Sequence, residues 1–168
     1  HVGEYWRRDS MLLTERQYAR VVTYLPKLQE QEKALVKWVN EAAAQGDLAE
    51  NSEFDAARLE LEKTRNKITE MQEIVASAEI VQPNPNPCVI DIGSLVKIQI
   101  RDTGISALDA GEVHEISGVQ IPDTQIPALP ITSIVGKRLY GRQFDPDSSL
   151  ANTITYTDVH NITRELII

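Results

Sequence analysis

Two carboxylates three residues apart, Asp47 and Glu50, stand in the stretch Gly46-Asp47-Leu48-Ala49-Glu50-Asn51-Ser52-Glu53-Phe54. Such a pair has two readings. The structural one is an Asp at a helix N-cap with a Glu three positions on, an acidic relative of the capping box that the helix dipole favours. The chemical one is a pair of hard oxygen ligands for Mg²⁺, an ion that takes one or two protein carboxylates, keeps several waters and lets substrate phosphates fill the rest. Two carboxylates alone bind it weakly, so a partner would have to supply further ligands.

The flanking segments say where the acids stand. After the turn, Phe54, Ala57, Leu61, Thr64, Ile68, Met71, Val75 and Ala78 fall at alternating steps of three and four, a heptad seam with one polar interruption. Before it, Tyr18, Val21, Leu25, Leu28, Leu35, Val39 and Ala42 follow the same rhythm, with Glu32 interrupting. Two such seams joined by a short turn zip antiparallel, because neither helix can hide its stripe alone. Each arm has room for roughly 30 helical residues, on the order of 45 Å at about 1.5 Å rise per residue. The acids therefore sit at the tip of a probe.

Thr14 and Gln17 form a plausible capping box for a first arm that runs to about Gln45. Pro26 predicts a kink or a restart within it, and Gly46 suits its C-terminus. The second arm is expected to reach about Ile80, where Pro83, Pro85 and Pro87 forbid helix and favour an extended linker. The expected organisation is an arm over residues 1–10, native or appended, a coiled coil over 11–82 with its tip at 46–54, a proline-rich linker over 83–88, and a globular domain over 89–168.

Beyond the linker the period changes to two. Val96, Ile98 and Ile100 alternate with polar residues, as do Ile154 and Tyr156. Gly111 to Val119 and Val159 to Ile168 are weaker strand candidates, and Ile121 to Pro130 reads as a proline-punctuated loop. Ser133 can cap a short helix over Ile134 to Tyr140, with Gly141 as its stop. A small, mostly antiparallel sheet with one short helix is an α+β domain.

Composition narrows the function. With 17 basic against 25 acidic residues the net charge is −8, which argues against wrapping duplex DNA by neutralising phosphates. The single cysteine, Cys88, allows no internal disulfide, and His1, His114 and His160 make no metal-ligand spacing with it. There is no apolar run of membrane-spanning length and no signal-peptide core, so a cytoplasmic protein is expected.

The stretch Gly46-Asp47-Leu48-x-Glu50-Asn51-x-Glu53-Phe54-x-x-Ala57-Arg58 closely resembles the tip signature of the bacterial Gre transcript cleavage factors, Gly-Asp-Leu-x-Glu-Asn-x-Glu-Tyr-x-x-Ala-Arg, with Phe54 in place of Tyr. The resemblance covers roughly residues 11 to 82. It extends more faintly to Ser133-Ile134-Val135-Gly136-Lys137, where Ile134 replaces the family's Pro, and Phe144-Asp145-Pro146 stands near the place of a usual Gly-Asp pair.

This resemblance implies an antiparallel coiled-coil hairpin followed by an α+β domain of FKBP-like fold. It implies a monomeric accessory factor, not itself an enzyme, whose hairpin enters the secondary channel of bacterial RNA polymerase. Asp47 and Glu50 would there reach the active site of a backtracked complex, complete a Mg²⁺ site held mainly by the polymerase, and promote cleavage of the nascent RNA 3′ segment. Asn51, Glu53 and Phe54 would support the tip, and Arg58 would contact RNA or polymerase. Lys63, Arg65 and Lys67 read either as a basic run steadying RNA or as a solvated face with helix-spaced ion pairs. Trp38 reads as packing at the edge of the seam. The alternative function is a secondary-channel regulator that inhibits the polymerase without promoting cleavage. An isomerase or chaperone role for the second half is less supported, since Tyr140, Phe144 and Tyr156 are its only aromatics.

Overall fold

The computed structural model describes residues 11–45, 52–102, 111–122, 125–158, 160 and 162–168. In chain order these form strand β1 (Met11–Thr14), helix α1 (Glu15–Ala44), helix α2 (Ser52–Ser77) and strands β2 (Ala78–Val81), β3 (Leu95–Asp102), β4 (Glu112–Ser117) and β5 (Ala128–Pro130). Helix α3 (Gly136–Leu139) and strands β6 (Thr153–Thr157) and β7 (Thr163–Ile167) complete it. Two compact units result: one is Ala19–Ser77, and the other joins the residues up to Tyr18 with Ala78–Ile168.

In the helical unit the heptad pattern dictates burial. Val21, Leu28, Leu35 and Ala42 of α1 are buried, as are Ala57, Ile68, Met71 and Ile74 of α2, so each helix hides one stripe. The last turn of α2 departs slightly from expectation, with Ile74 buried and Val75 half-buried. The two polar interruptions are accommodated differently. Thr64 is buried, whereas Glu32 accepts a hydrogen bond from the Nε–H of Arg65 on α2 at 2.7 Å. Glu32, earlier in α1, thus meets Arg65, farther along α2, whereas Trp38, later in α1, donates to Glu53 in the first turn of α2. The helices are therefore antiparallel.

Pro26 does not restart the helix. α1 runs through it without a break, so of the two expectations, a kink or a restart, the restart is corrected. Proline removes one hydrogen bond, at the Val22 carbonyl. Val22 is exposed, and Val21 and Leu28 on either side are buried, so water can serve that carbonyl while packing holds the helix.

The second arm ends earlier than expected. Helix stops at Ser77, and Ala78–Val81 pairs in parallel with Met11–Thr14, in register Met11↔Ala78 to Thr14↔Val81. This ladder is fixed to the sheet-bearing unit: the Gly118 N–H donates to the Leu12 carbonyl at 2.9 Å. The capping box forms as predicted. The Gln17 N–H donates to Thr14 Oγ1 at 3.2 Å, and the Thr14 N–H donates to Gln17 Oε1 at 3.0 Å. The fully buried Gln17 also donates through Nε2 to the Ile116 carbonyl at 2.9 Å.

The sheet has the order β5-β4-β3-β7-β6 and is antiparallel except for the β4–β5 pair. Alternation in β3 and β6 turns Val96, Ile98, Ile154 and Tyr156 to one face, where they meet Ile90, Ile92, Ile116, Leu139 and Leu166 in the core. The short helix forms as expected but spans only four residues. Ser133 Oγ accepts the Gly136 N–H at 3.0 Å and donates to the Pro130 carbonyl at 2.7 Å, and Gly141 follows with φ of 76°. A helical hairpin followed by a β-rich domain gives the expected α+β class.

Candidate functional site

Of the residues singled out by sequence, Asp47, Glu50 and Asn51 lie outside the described residues, as does Gly46. The structure describes the two helix ends that flank them. Helix α1 ends at Ala44 and α2 begins at Ser52, so the acid-bearing stretch connects two long antiparallel helices.

Glu53 and Phe54 occupy the first turn of α2, a position where an acid is favoured by the positive end of the helix dipole. The Glu53 carboxylate accepts a hydrogen bond from Trp38 Nε1–H on α1 at 3.0 Å. Phe54 is half-buried. Its ring carries the Arg58 guanidinium 5.7 Å from the centroid, one helical turn on, within the range of a cation–π contact. The four described members of the signature, Glu53, Phe54, Ala57 and Arg58, thus lie together on one end of α2.

Trp38 is more than the packing group expected at the seam's edge. An indole N–H that is partly withdrawn from water needs an acceptor, and the Glu53 carboxylate on the facing helix is that acceptor. Two members of the basic run, Lys63 and Arg65, are engaged in ion pairs. Lys63 lies 3.8 Å from Glu60 on its own helix, and Arg65 is bonded to Glu32. These contacts suit the reading of a solvated helical face.

Among the described residues no group of three or more His, Cys, Asp or Glu is placed to hold a metal, and no helix is long and apolar enough to cross a membrane. An open hollow on the sheet-bearing unit is lined by Pro87, Val89, Leu95, Phe144, Ile167 and Ile168 among others, with Phe144 as its one aromatic wall. It lacks the aromatic enclosure expected of a small-molecule pocket.

Residues 11–80 match the family model described as transcription elongation factor, N-terminal. The transcription elongation factor GreA of Thermodesulfovibrio yellowstonii is 31% identical over 137 residues, covering 80% of this chain and 84% of that protein. The chain belongs to the Gre transcription elongation factor family. Another relative, GreA of Bartonella tribocorum, is 28% identical over 116 residues, covering 68% of this chain and 71% of that protein. Among solved structures, the GreA factor homolog 1 (Gfh1) protein of Thermus thermophilus is 20% identical, with a TM-score of 0.43, covering 94% of this chain and 96% of that one. For this Gre-family chain the matched region holds both long helices and the stretch between them.

Proposed function

We propose that this Gre-family chain is an accessory factor of bacterial RNA polymerase in the cytoplasm. Its hairpin enters the secondary channel, and Asp47 and Glu50 stimulate the polymerase's own Mg²⁺-dependent cleavage of backtracked nascent RNA, rescuing arrested complexes. The observation that carries this reading is the position of the acid pair: it joins two long antiparallel helices in a chain of a transcription elongation factor family.

The donor set suits the ion. Asp47 and Glu50 offer two hard carboxylates three residues apart, too few to hold Mg²⁺ unaided and well matched to a site completed by another protein. When bound, the ion supplies positive charge that orients an attacking water and steadies a leaving oxygen. The chain contributes negative charge at the end of a rod, and it contributes reach. Glu53, held by Trp38, and Phe54, covered by Arg58, keep the start of α2 in place. Nucleophile, substrate and remaining ligands belong to the polymerase, so the factor is not itself an enzyme.

The test is RNA cleavage in a stalled, backtracked elongation complex with polymerase and Mg²⁺. Asp47→Asn removes charge at nearly constant shape, and Asn caps a helix about as well as Asp. Wild type is expected to accelerate cleavage. Asp47→Asn or Glu50→Gln should lower the stimulated rate by roughly 100-fold with binding retained, since losing even a residue behind a metal ligand costs about 10- to 100-fold. Unchanged stimulation by both variants would remove the metal role. Slowed elongation with no cleavage by wild type would make the protein a channel inhibitor.

A further inference from the structure

The indole N–H is the one hydrogen-bond donor a Trp side chain has, and that of Trp38 is spent across the hairpin on the Glu53 carboxylate at 3.0 Å. Trp38 lies on α1 between the buried seam residues Leu35 and Ala42, whereas Glu53 lies in the first turn of α2. The chain between the two partners contains Gly46–Asn51, and with it both acids. A bond at the neck of that segment removes arrangements in which the two helix ends slide past each other or splay apart.

The choice of partners suits that task. Two long exposed side chains would lose much rotamer freedom in holding one geometry. Trp38 is half-buried and has only two side-chain torsions, so directing its N–H costs little further entropy. On the α2 side, the Arg58 guanidinium over the Phe54 ring restrains the next residue of the same turn. The start of α2 is thereby held both to α1 and along its own length.

We infer that Trp38 is a positioning residue for the tip: its bond to Glu53 fixes the register of the two helix ends, and so where Asp47 and Glu50 are presented. The inference deepens the proposed polymerase function and rests on it for its kinetic consequence.

Trp38→Phe in the full chain keeps an aromatic ring and deletes the donor. The maximal rate of stimulated RNA cleavage should fall roughly three- to tenfold, within the range that small misplacement of reacting groups produces. The factor concentration giving half-maximal rate and the thermal unfolding midpoint should stay unchanged. Glu53→Gln retains a carbonyl acceptor and should keep most of the rate. Glu53→Leu should lose as much as Trp38→Phe, and the double variant no more than either alone. Additive losses overturn the inference, as does a loss confined to half-saturation or to thermal stability.

A second measurement is independent of polymerase. In a Cys88→Ser background, nitroxide labels at Gln45→Cys and Ser52→Cys report the separation of the helix ends. Trp38→Phe should broaden their distance distribution, and an unchanged distribution overturns the positioning role. If wild type fails to accelerate cleavage, the polymerase reading falls while the distance measurement still decides the role of Trp38.

Discussion

The Asp158 carboxylate accepts hydrogen bonds from Arg164 Nε–H at 2.6 Å and from the backbone N–H groups of His160 at 2.9 Å and Ile162 at 3.0 Å. The Arg164 bond above all, then the Ile162 N–H, holds its carboxyl down at about 2 against an ordinary 3.8. As pH falls, the unfolded chain takes up this proton before the folded one does. The stability contributed by the ionised group is therefore complete above about pH 5 and drains away as pH drops through the folded value. Thermal unfolding from pH 7 to pH 2 should show Asp158→Asn melting below wild type at neutral pH, the two curves converging near pH 2. A constant gap across that range would mean that the charge is not what Asp158 contributes. Nothing in sequence spacing marks this pair, because its closeness depends on the β6–β7 hairpin register, Thr157↔Thr163. Glu32 is the opposite case. Its place as an interruption of an apolar seam could be read from spacing alone, and Arg65 on the facing helix is its partner.

Among the elements, what could be read was what has a local period. Both hairpin helices, β3 and β6 announce themselves through spacings of three and four or of two, and the capping box at Thr14 and the Ser133 bond to the Gly136 N–H follow from side chains close in sequence. The strands β1 and β2 did not. Each has four residues, and their pairing is parallel between segments separated by the entire hairpin, a contact that no local pattern encodes. Strand β5 was hidden by prolines, yet it is an edge strand, where a missing N–H is tolerated. The Pro127 carbonyl accepts from the Glu115 N–H at 2.9 Å, and the Ile131 N–H donates to the Ser117 carbonyl at 2.8 Å, so the ladder is made by the prolines' neighbours and carbonyls. The candidate site was legible as a signature, while the Trp38–Glu53 bond needed the register of two helices. β1 also yields a stability test. A Cβ on Gly118 would stand 2.3 Å from the Leu12 carbonyl oxygen and 2.5 Å from its nitrogen, and backbone cannot give way as a flexible side chain can. Gly118→Ala should cost about 1–3 kcal/mol, the usual range for overpacking, read from urea unfolding. A variant as stable as wild type would mean that β1 readily moves off the sheet unit.

The proposed action of an acidic chain on RNA requires a division of labour, and charge makes that division testable. With 25 acids against 17 bases the protein carries a net −8, and described members of its basic run are held in ion pairs, Lys63 with Glu60 and Arg65 with Glu32. Sequence-independent affinity for nucleic acid comes from cations that displace counterions from phosphates, reaching roughly 10⁻⁴–10⁻⁶ M for basic proteins near physiological salt. This chain lacks the excess of cations for it. Its own binding to free single-stranded RNA should be undetectable by fluorescence anisotropy up to about 100 μM protein at physiological salt, while the same protein accelerates cleavage in a backtracked polymerase complex at far lower concentration. Micromolar affinity for free RNA, falling steeply as salt is raised, would show that the chain carries a phosphate-binding face of its own. The RNA would then be recruited by the factor, and the assignment of substrate binding to the polymerase would have to be abandoned. No binding to free RNA together with stimulated cleavage leaves the polymerase as the sole holder of the transcript and the factor as a donor of two carboxylates.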